Sequence, residues 1–216
     1  MKSKKKFLKI AIDSPAAAGA GTIAKKISKY YNLFYLDTGK IYRMIANIKL
    51  KFPKKFNEEF LKKKINSLNL RDLQNKKLIN DEVGAEAAVV SKLKKIRRLV
   101  HSYQINCAYN PPKKYNGSCL DGRDITYNIV PDADFKFFIT ASAEVRAERR
   151  HKELLARGEP SIYARVLDDM LARDERDRTR SIAPLRPASD AKVIDTSELD
   201  ADTVLATALR TIKAGE

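Results

Sequence analysis

Apolar positions along this chain switch between a period of two and a period near 3.6, and the switches mark alternating strands and helices. Phe7–Asp13 is apolar through Ile10 and Ile12 and stops at a turn, the pattern of a buried strand. Ser14–Gly21 is built of small residues and glycine. Thr22–Tyr31 then places Ile23, Ala24, Ile27 and Tyr31 at helical spacing. Leu33–Leu36 is predicted as a second short strand and Gly39–Leu50 as a second helix. A strand, a glycine loop, a helix and another strand in this order make a βαβ unit, which predicts a parallel sheet. Further on, Val83–Tyr109 carries one long helical pattern, and PPKKYNG at Pro111–Gly117 is a turn cluster. Ser118–Leu120 leads into Asp121–Asp124, and Phe135–Thr140 is a buried strand. Helices are predicted over Ala143–Arg157 and Ser161–Asp177, with Gly158–Pro160 interrupting them. Ala191–Asp195 is the last strand and Asp200–Ala214 the last helix.

Composition adds a second division. The 216 residues suit one domain with small inserts, and a 44% hydrophobic content excludes wholesale disorder. The net charge is +16, which raises nucleic-acid binding as a possibility. Yet residues 1–140 carry 29 basic and 12 acidic groups, whereas residues 141–216 carry 14 and 15. The first part is lysine-rich and the second arginine-rich, a change that fits a junction of two related parents near Thr140 better than uneven drift. The basic runs Lys2–Lys9 and Lys51–Lys64 lack the aromatic interleaving of single-strand binders, so they are expected to be solvated faces, with no nucleic acid as partner. No apolar run approaches the roughly 18 residues that cross a membrane. The stretch after the N-terminal lysines is broken by Lys9 and Asp13, too charged for a signal-peptide core. Cys107 and Cys119 have no metal-ligand spacing and are expected as reduced thiols in the cytoplasm.

Candidate chemistry begins at the first strand–helix turn. Ser14-Pro15-Ala16-Ala17-Ala18-Gly19-Ala20-Gly21-Thr22 has the context of a phosphate loop but departs from G-x-x-x-x-G-K-[ST] at the first glycine and at the lysine. Backbone N–H groups of such a loop, and the helix N-terminus behind it, hold phosphates without side chains. Four further motifs are rich in arginine and aspartate. They are Leu36-Asp-Thr-Gly-Lys-Ile-Tyr-Arg43, Asp121-Gly-Arg-Asp124, Pro131-Asp-Ala-Asp134, and Arg173-Asp-Glu-Arg-Asp-Arg-Thr-Arg180 followed by Ala183-Pro-Leu185. With Asp195-Thr-Ser197 they stand in one order along most of the chain. Arginine clamps phosphates bidentately, and phosphoryl transfer needs positioned positive charge more than covalent chemistry.

In these motifs and their order the chain resembles bacterial cytidylate kinases, with their LDTGAMYR, DGRD, PDAD, RDxRDxxR…APL and IDTS stretches. The resemblance implies an α/β fold of the P-loop NTPase type, a three-layer α/β/α core with a parallel sheet. It implies a core over residues 1–50 and 84–216, a small monophosphate-binding insert over 51–83, and a lid over 156–164 with Arg157–Tyr163 at its centre. It implies ATP and Mg2+ as cofactors, CMP or dCMP as acceptor, and action as a monomer. Residues Ser14 to Thr22 would cradle ATP, and Thr22 would serve the metal. Asp37, Thr38 and Arg43 would hold the acceptor, its phosphate met by Arg97 and Arg123. Asp121 and Asp124 would take part in acceptor recognition or orient those arginines. Arg173 and Asp177 would read the cytosine edge or the acceptor phosphate. Arg149 and Arg180 would move onto ATP as the lid closes, and Arg123, Arg149, Arg173 and Arg180 form the catalytic set.

Departures from that pattern set further expectations. Ala20 stands in place of the loop lysine, and Gly21 in the usual hydroxyl slot. Removing one preorganised donor from a catalytic site costs about 3–4 kcal/mol. Lys25, Lys40 and Arg149 are the candidates to cover for it, and the alternative is a catalytically impaired nucleotide-binding protein on the same fold. Ala88 stands where the family often has serine, and Thr126-Tyr127-Asn128 replaces its Gly-Thr-Val.

Overall fold

The computed structural model describes residues 7–69 and 71–215. The lysines at 2, 4, 5 and 6 of the first basic run lie outside the described residues. The chain divides into two compact units. One comprises the described residues up to Leu36 together with those from Pro111 onward, and the other is Asp37–Asn110. The second is wider on both sides than the 51–83 expected for an insert, because the flanking helices pack with the inserted ones.

The sheet has five strands: β1 (Leu8–Asp13), β2 (Phe34–Asp37), β3 (Gly117–Gly122), β4 (Phe135–Thr140) and β5 (Lys192–Asp195). Their order is β2-β3-β1-β4-β5. β1 pairs in parallel with β3 and β4, and β4 with β5, so β1 lies at the centre. Strand β1 can come close to β3 because residue 117 is glycine; a Cβ there would sit 1.9 Å from the Leu8 carbonyl oxygen. Helices α1 (Ala20–Tyr31) and α8 (Ala201–Gly215) cover the sheet through Ile23, Ala24, Ile27, Val204, Ala208 and Ile212. These meet Ile10, Ile12, Cys119, Phe137, Ile139 and Ile194, all 4% exposed or less, and burial of these side chains is the main driving force of the unit. Helices α6 (Ala143–Ala156) and α7 (Tyr163–Thr179) pack on each other and complete the unit. Between them Gly158 takes a left-handed φ of 74°, which suits glycine, and the His151 ring contacts the Ser161 hydroxyl at 2.8 Å.

The second unit holds α2 (Gly39–Lys51), α3 (Glu58–Asn66), α4 (Asp81–Val90) and α5 (Lys94–Tyr109). Asn57 and Asn80 cap α3 and α4, their side chains accepting from the Phe60 and Glu82 amides. The single helix expected over Val83–Tyr109 is two. The Ser91 hydroxyl donates to the Ala88 carbonyl, a local bond that competes with helix propagation, and Leu93 is extended. Among the described residues no helix is long and apolar enough to cross a membrane.

Candidate functional site

The loop from Ser14 to Gly19 leaves the buried end of β1 and feeds α1. The Ser14 amide donates to the Gly122 carbonyl at 3.2 Å, and Gly19 turns into the helix with φ 88°. α1 begins without a side-chain cap and without an acidic residue in its first turn, so its N-terminal amides keep their positive end toward the loop. Ala17 is left-handed at φ 60°, a conformation that costs an alanine about 1–2 kcal/mol. Ala18 and Ala20 are buried in the sheet–helix cluster, and Pro15 and Ala16 complete the turn.

Two side chains hold the loop from behind. Thr196, at the end of β5, donates its hydroxyl to the Ala18 carbonyl at 3.2 Å. Arg146 on α6 donates to the Ala16 and Ala141 carbonyls at 3.3 and 2.9 Å. It also grips Asp174 on α7 through two bonds of 3.1 and 2.5 Å. Arg146 is buried at 4% exposure, so its charge is tolerable only because Asp174 answers it. It was not singled out from the sequence, where it is one arginine among several on an ordinary helix.

Beside the loop lies a cavity of about 260 Å³, lined by Ala18, Gly19 and Thr22 on one side and by Arg149, Thr196 and Val204 on another. Arg149 is held there by Thr196, whose hydroxyl and carbonyl accept its two terminal nitrogens at 2.9 and 2.6 Å. Of the three cations expected to cover for Ala20, Arg149 lines this cavity. Lys25 lies over the Tyr35 ring at 5.9 Å, and Lys40 faces the Asp37 carboxylate at 4.0 Å. A Cβ at Gly21 would make a tight contact of 3.2 Å with Asp121 Oδ2 and an ordinary one of 3.6 Å with the Tyr35 hydroxyl. Asp121, the next-to-last residue of β3, accepts from that hydroxyl at 3.3 Å.

The ends of β1 and β3 are tied by Asp13. It is fully buried and accepts from the Ile125 and Thr126 amides, both at 2.8 Å, and from the Thr126 hydroxyl at 2.6 Å. Burial pushes its carboxyl up to about 6 in spite of these three donors. The π-helical turn Ile125–Ile129 that they anchor follows Asp121–Asp124 directly.

A lattice of arginines and carboxylates lies next to that turn. Arg123 donates to Asp177 on α7 at 3.0 Å and to the Gly122 carbonyl at 3.1 Å. Arg180 lies 3.8 Å from Asp177 and 3.9 Å from Asp124. Its Nε donates to the Ala183 carbonyl at 2.5 Å. Among the described residues its Nη2, the nitrogen that faces Asp124, is buried and makes no hydrogen bond. Arg173 is exposed on α7, one turn before Asp177. Asn128 donates to Asp124 at 2.8 Å, and the Tyr127 hydroxyl donates to the Pro184 carbonyl. Burial pushes that hydroxyl up to about 12, so it stays protonated as a donor.

In the second unit Thr38 is buried at the start of α2, and Asp37 accepts from the Lys40 amide at 3.3 Å. Arg43 donates to the Leu78 and Asn80 carbonyls at 2.8 and 3.2 Å, and the absence of a side chain at Gly84 gives its guanidinium room. Arg97 lies over the Tyr42 ring, 6.0 Å from its centre. Tyr42 and Arg43 are consecutive on α2, so both guanidiniums are anchored through one helix.

A five-stranded parallel sheet in the order β2-β3-β1-β4-β5, with a small-residue loop joining its central strand to the following helix, places the chain in the P-loop class of α/β proteins. The cytidylate kinase family profile matches residues 10–214, and the chain belongs to that family. It is 41% identical over 206 residues to a cytidylate kinase of Bradyrhizobium sp. (strain ORS 278), covering 95% of both chains. It is 43% identical over 205 residues to that of Xanthobacter autotrophicus, covering 95% of this chain and 97% of the relative. A crystal structure of an uncharacterized protein from Eubacterium ventriosum shares the fold at a TM-score of 0.54 and 13% identity, covering 95% of this chain and 98% of that one.

Proposed function

We propose that this chain transfers the γ-phosphoryl group of ATP to CMP or dCMP, giving ADP and CDP or dCDP, as a monomer in the cytoplasm. The observation that carries this reading is the lattice of Arg123, Asp124, Asp177 and Arg180, with a buried guanidinium nitrogen that makes no hydrogen bond. Paired carboxylates hold the arginines in place before a ligand arrives, and an arriving phosphate or cytosine edge finds its donors already oriented. In this reading Ser14–Thr22 and the α1 N-terminus take the ATP phosphates, and Arg149 adds the side-chain charge that Ala20 does not supply. Thr38, Arg43 and Arg97 of the second unit are assigned to the acceptor phosphate, with Asp37 shaping the start of α2. Asp121, Arg123, Asp124, Arg173, Asp177 and Arg180 serve the acceptor side.

Mg2+ in such enzymes is held by one or two protein oxygens and by substrate phosphates, so the site needs no dedicated cage. Among the described residues no cluster of three or more His, Cys, Asp or Glu could form one. Thr22, which lines the loop cavity, offers the protein oxygen. When bound, the ion neutralises charge on the β- and γ-phosphates. The features that favour an impaired relative, Ala20 for the lysine and Ser14 for the first glycine, are confined to the phosphate loop and leave the arginine–carboxylate lattice intact. A coupled ADP-release assay with CMP, dCMP and UMP tests the reading. Turnover is expected with CMP and dCMP; none above background with any of the three would sink it.

A further inference from the structure

Thr126-Tyr127-Asn128, the segment that departs from the family pattern, has three separate anchors. Thr126 is bound to Asp13 and fixes the turn to β1. Asn128 holds Asp124 Oδ2 at 2.8 Å. Tyr127 reaches the chain beyond α7: its hydroxyl donates to the Pro184 carbonyl, and its ring carries the Arg186 guanidinium 4.4 Å from the centroid. Between those two contacts and the helix the chain folds back on itself. Ala183 is left-handed at φ 51°, an unfavourable conformation for alanine that needs support from its surroundings. Its carbonyl accepts from Arg180 Nε, and the Leu185 amide returns to the Asp177 carbonyl at 2.6 Å. The conformation of residues 183–186 therefore sets where the Arg180 guanidinium points.

We infer that Tyr127 is a positioning residue for the acceptor nucleotide. It holds the Ala183–Arg186 turn at two points, Pro184 and Arg186, and the turn holds Arg180 with its terminal nitrogens facing Asp124 and Asp177. The inference rests on the proposed CMP kinase reading. Arg180, which the family resemblance sets on ATP together with Arg149, is assigned to the acceptor here because its guanidinium faces Asp124 and Asp177 beside Arg123, whereas Arg149 lines the loop cavity. Tyr127 touches no substrate in this scheme and acts through Arg180 alone.

The test is a double-mutant cycle on the full chain, with Tyr127→Phe, Arg180→Lys and the pair. Tyr127→Phe removes only the hydroxyl and keeps the ring under Arg186. Loss of one neutral hydrogen bond corresponds to a change of roughly 3- to 10-fold. The KM for CMP and its calorimetric Kd are expected to rise by that factor, with the KM for ATP unchanged. In the Arg180→Lys background the same substitution is expected to do almost nothing further, since its effect passes through the residue already altered. Additive losses overturn the inference, as does an equal change in the ATP and CMP parameters accompanied by a lower melting temperature. Wild-type turnover of CMP with an additive cycle overturns this inference and leaves the kinase reading standing. A wild-type chain that neither binds nor phosphorylates CMP overturns both.

Discussion

Single residues decide how the phosphate loop carries charge. In this chain Ala20 is 4% exposed and sits in the sheet–helix cluster, so the loop offers backbone amides where a lysine would add an ammonium. A lysine restored there is expected to lay its stem on the apolar cluster and carry its charge toward the loop. Ala20→Lys is expected to raise kcat with CMP by on the order of tenfold or more, since one preorganised donor carries about 10²–10³ in rate. Steady-state kinetics at saturating ATP checks this. An unchanged kcat would mean that the charge is already supplied, and Arg149→Lys would then be the substitution to assay. Arg149 is the one candidate cation in the loop cavity, a fact that spacing in the sequence did not disclose.

At the scale of elements, the site depends on how closely neighbouring strands and turns approach. Gly117 opens β3 opposite Leu8, with no room for a Cβ against the Leu8 carbonyl. Gly117→Ala has to push β1 and β3 apart at the pair that carries the phosphate loop and Asp121. We expect it to cost about 3 kcal/mol or more, read as a lower denaturant midpoint or as loss of soluble protein. A stability within 1 kcal/mol of wild type contradicts that packing. Element identity was legible from the chain: β1, α1, β2 and α2 begin and end within a residue or two of their predicted limits. The break at 91–93 was not, because no glycine or proline marks it. It comes from one serine side-chain bond and from an extended leucine, which apolar periodicity does not register.

For the whole molecule, the buried Asp13 links stability to pH. Its carboxyl is raised from 3.8 to about 6, so the folded state binds this proton more tightly than the unfolded chain does. Its contribution to stability is therefore greatest at low pH, is lost as pH rises from about 4 to about 6, and is flat above. Denaturant melts of wild type and Asp13→Asn at pH 4.5, 5.5 and 7 isolate the effect. The difference is expected to move in favour of wild type by on the order of 2 kcal/mol between pH 7 and 4.5. A difference independent of pH would show that Asp13 titrates alike in both states.

The sequence by itself determined the βαβ start, the order of the arginine motifs and the family, because helix and strand periods and short motifs are written in near neighbours. The tertiary structure decided the partners. Arg146 meets Ala16 across 130 positions, Asp13 meets Thr126 across 113, and Tyr127 meets Pro184 across 57. No local pattern encodes such pairs; they follow from a parallel sheet whose strand order brings distant strand ends together. Arg180 shows both halves of this: its motif was visible in the chain, but its alignment depends on a turn held by a tyrosine more than fifty residues away.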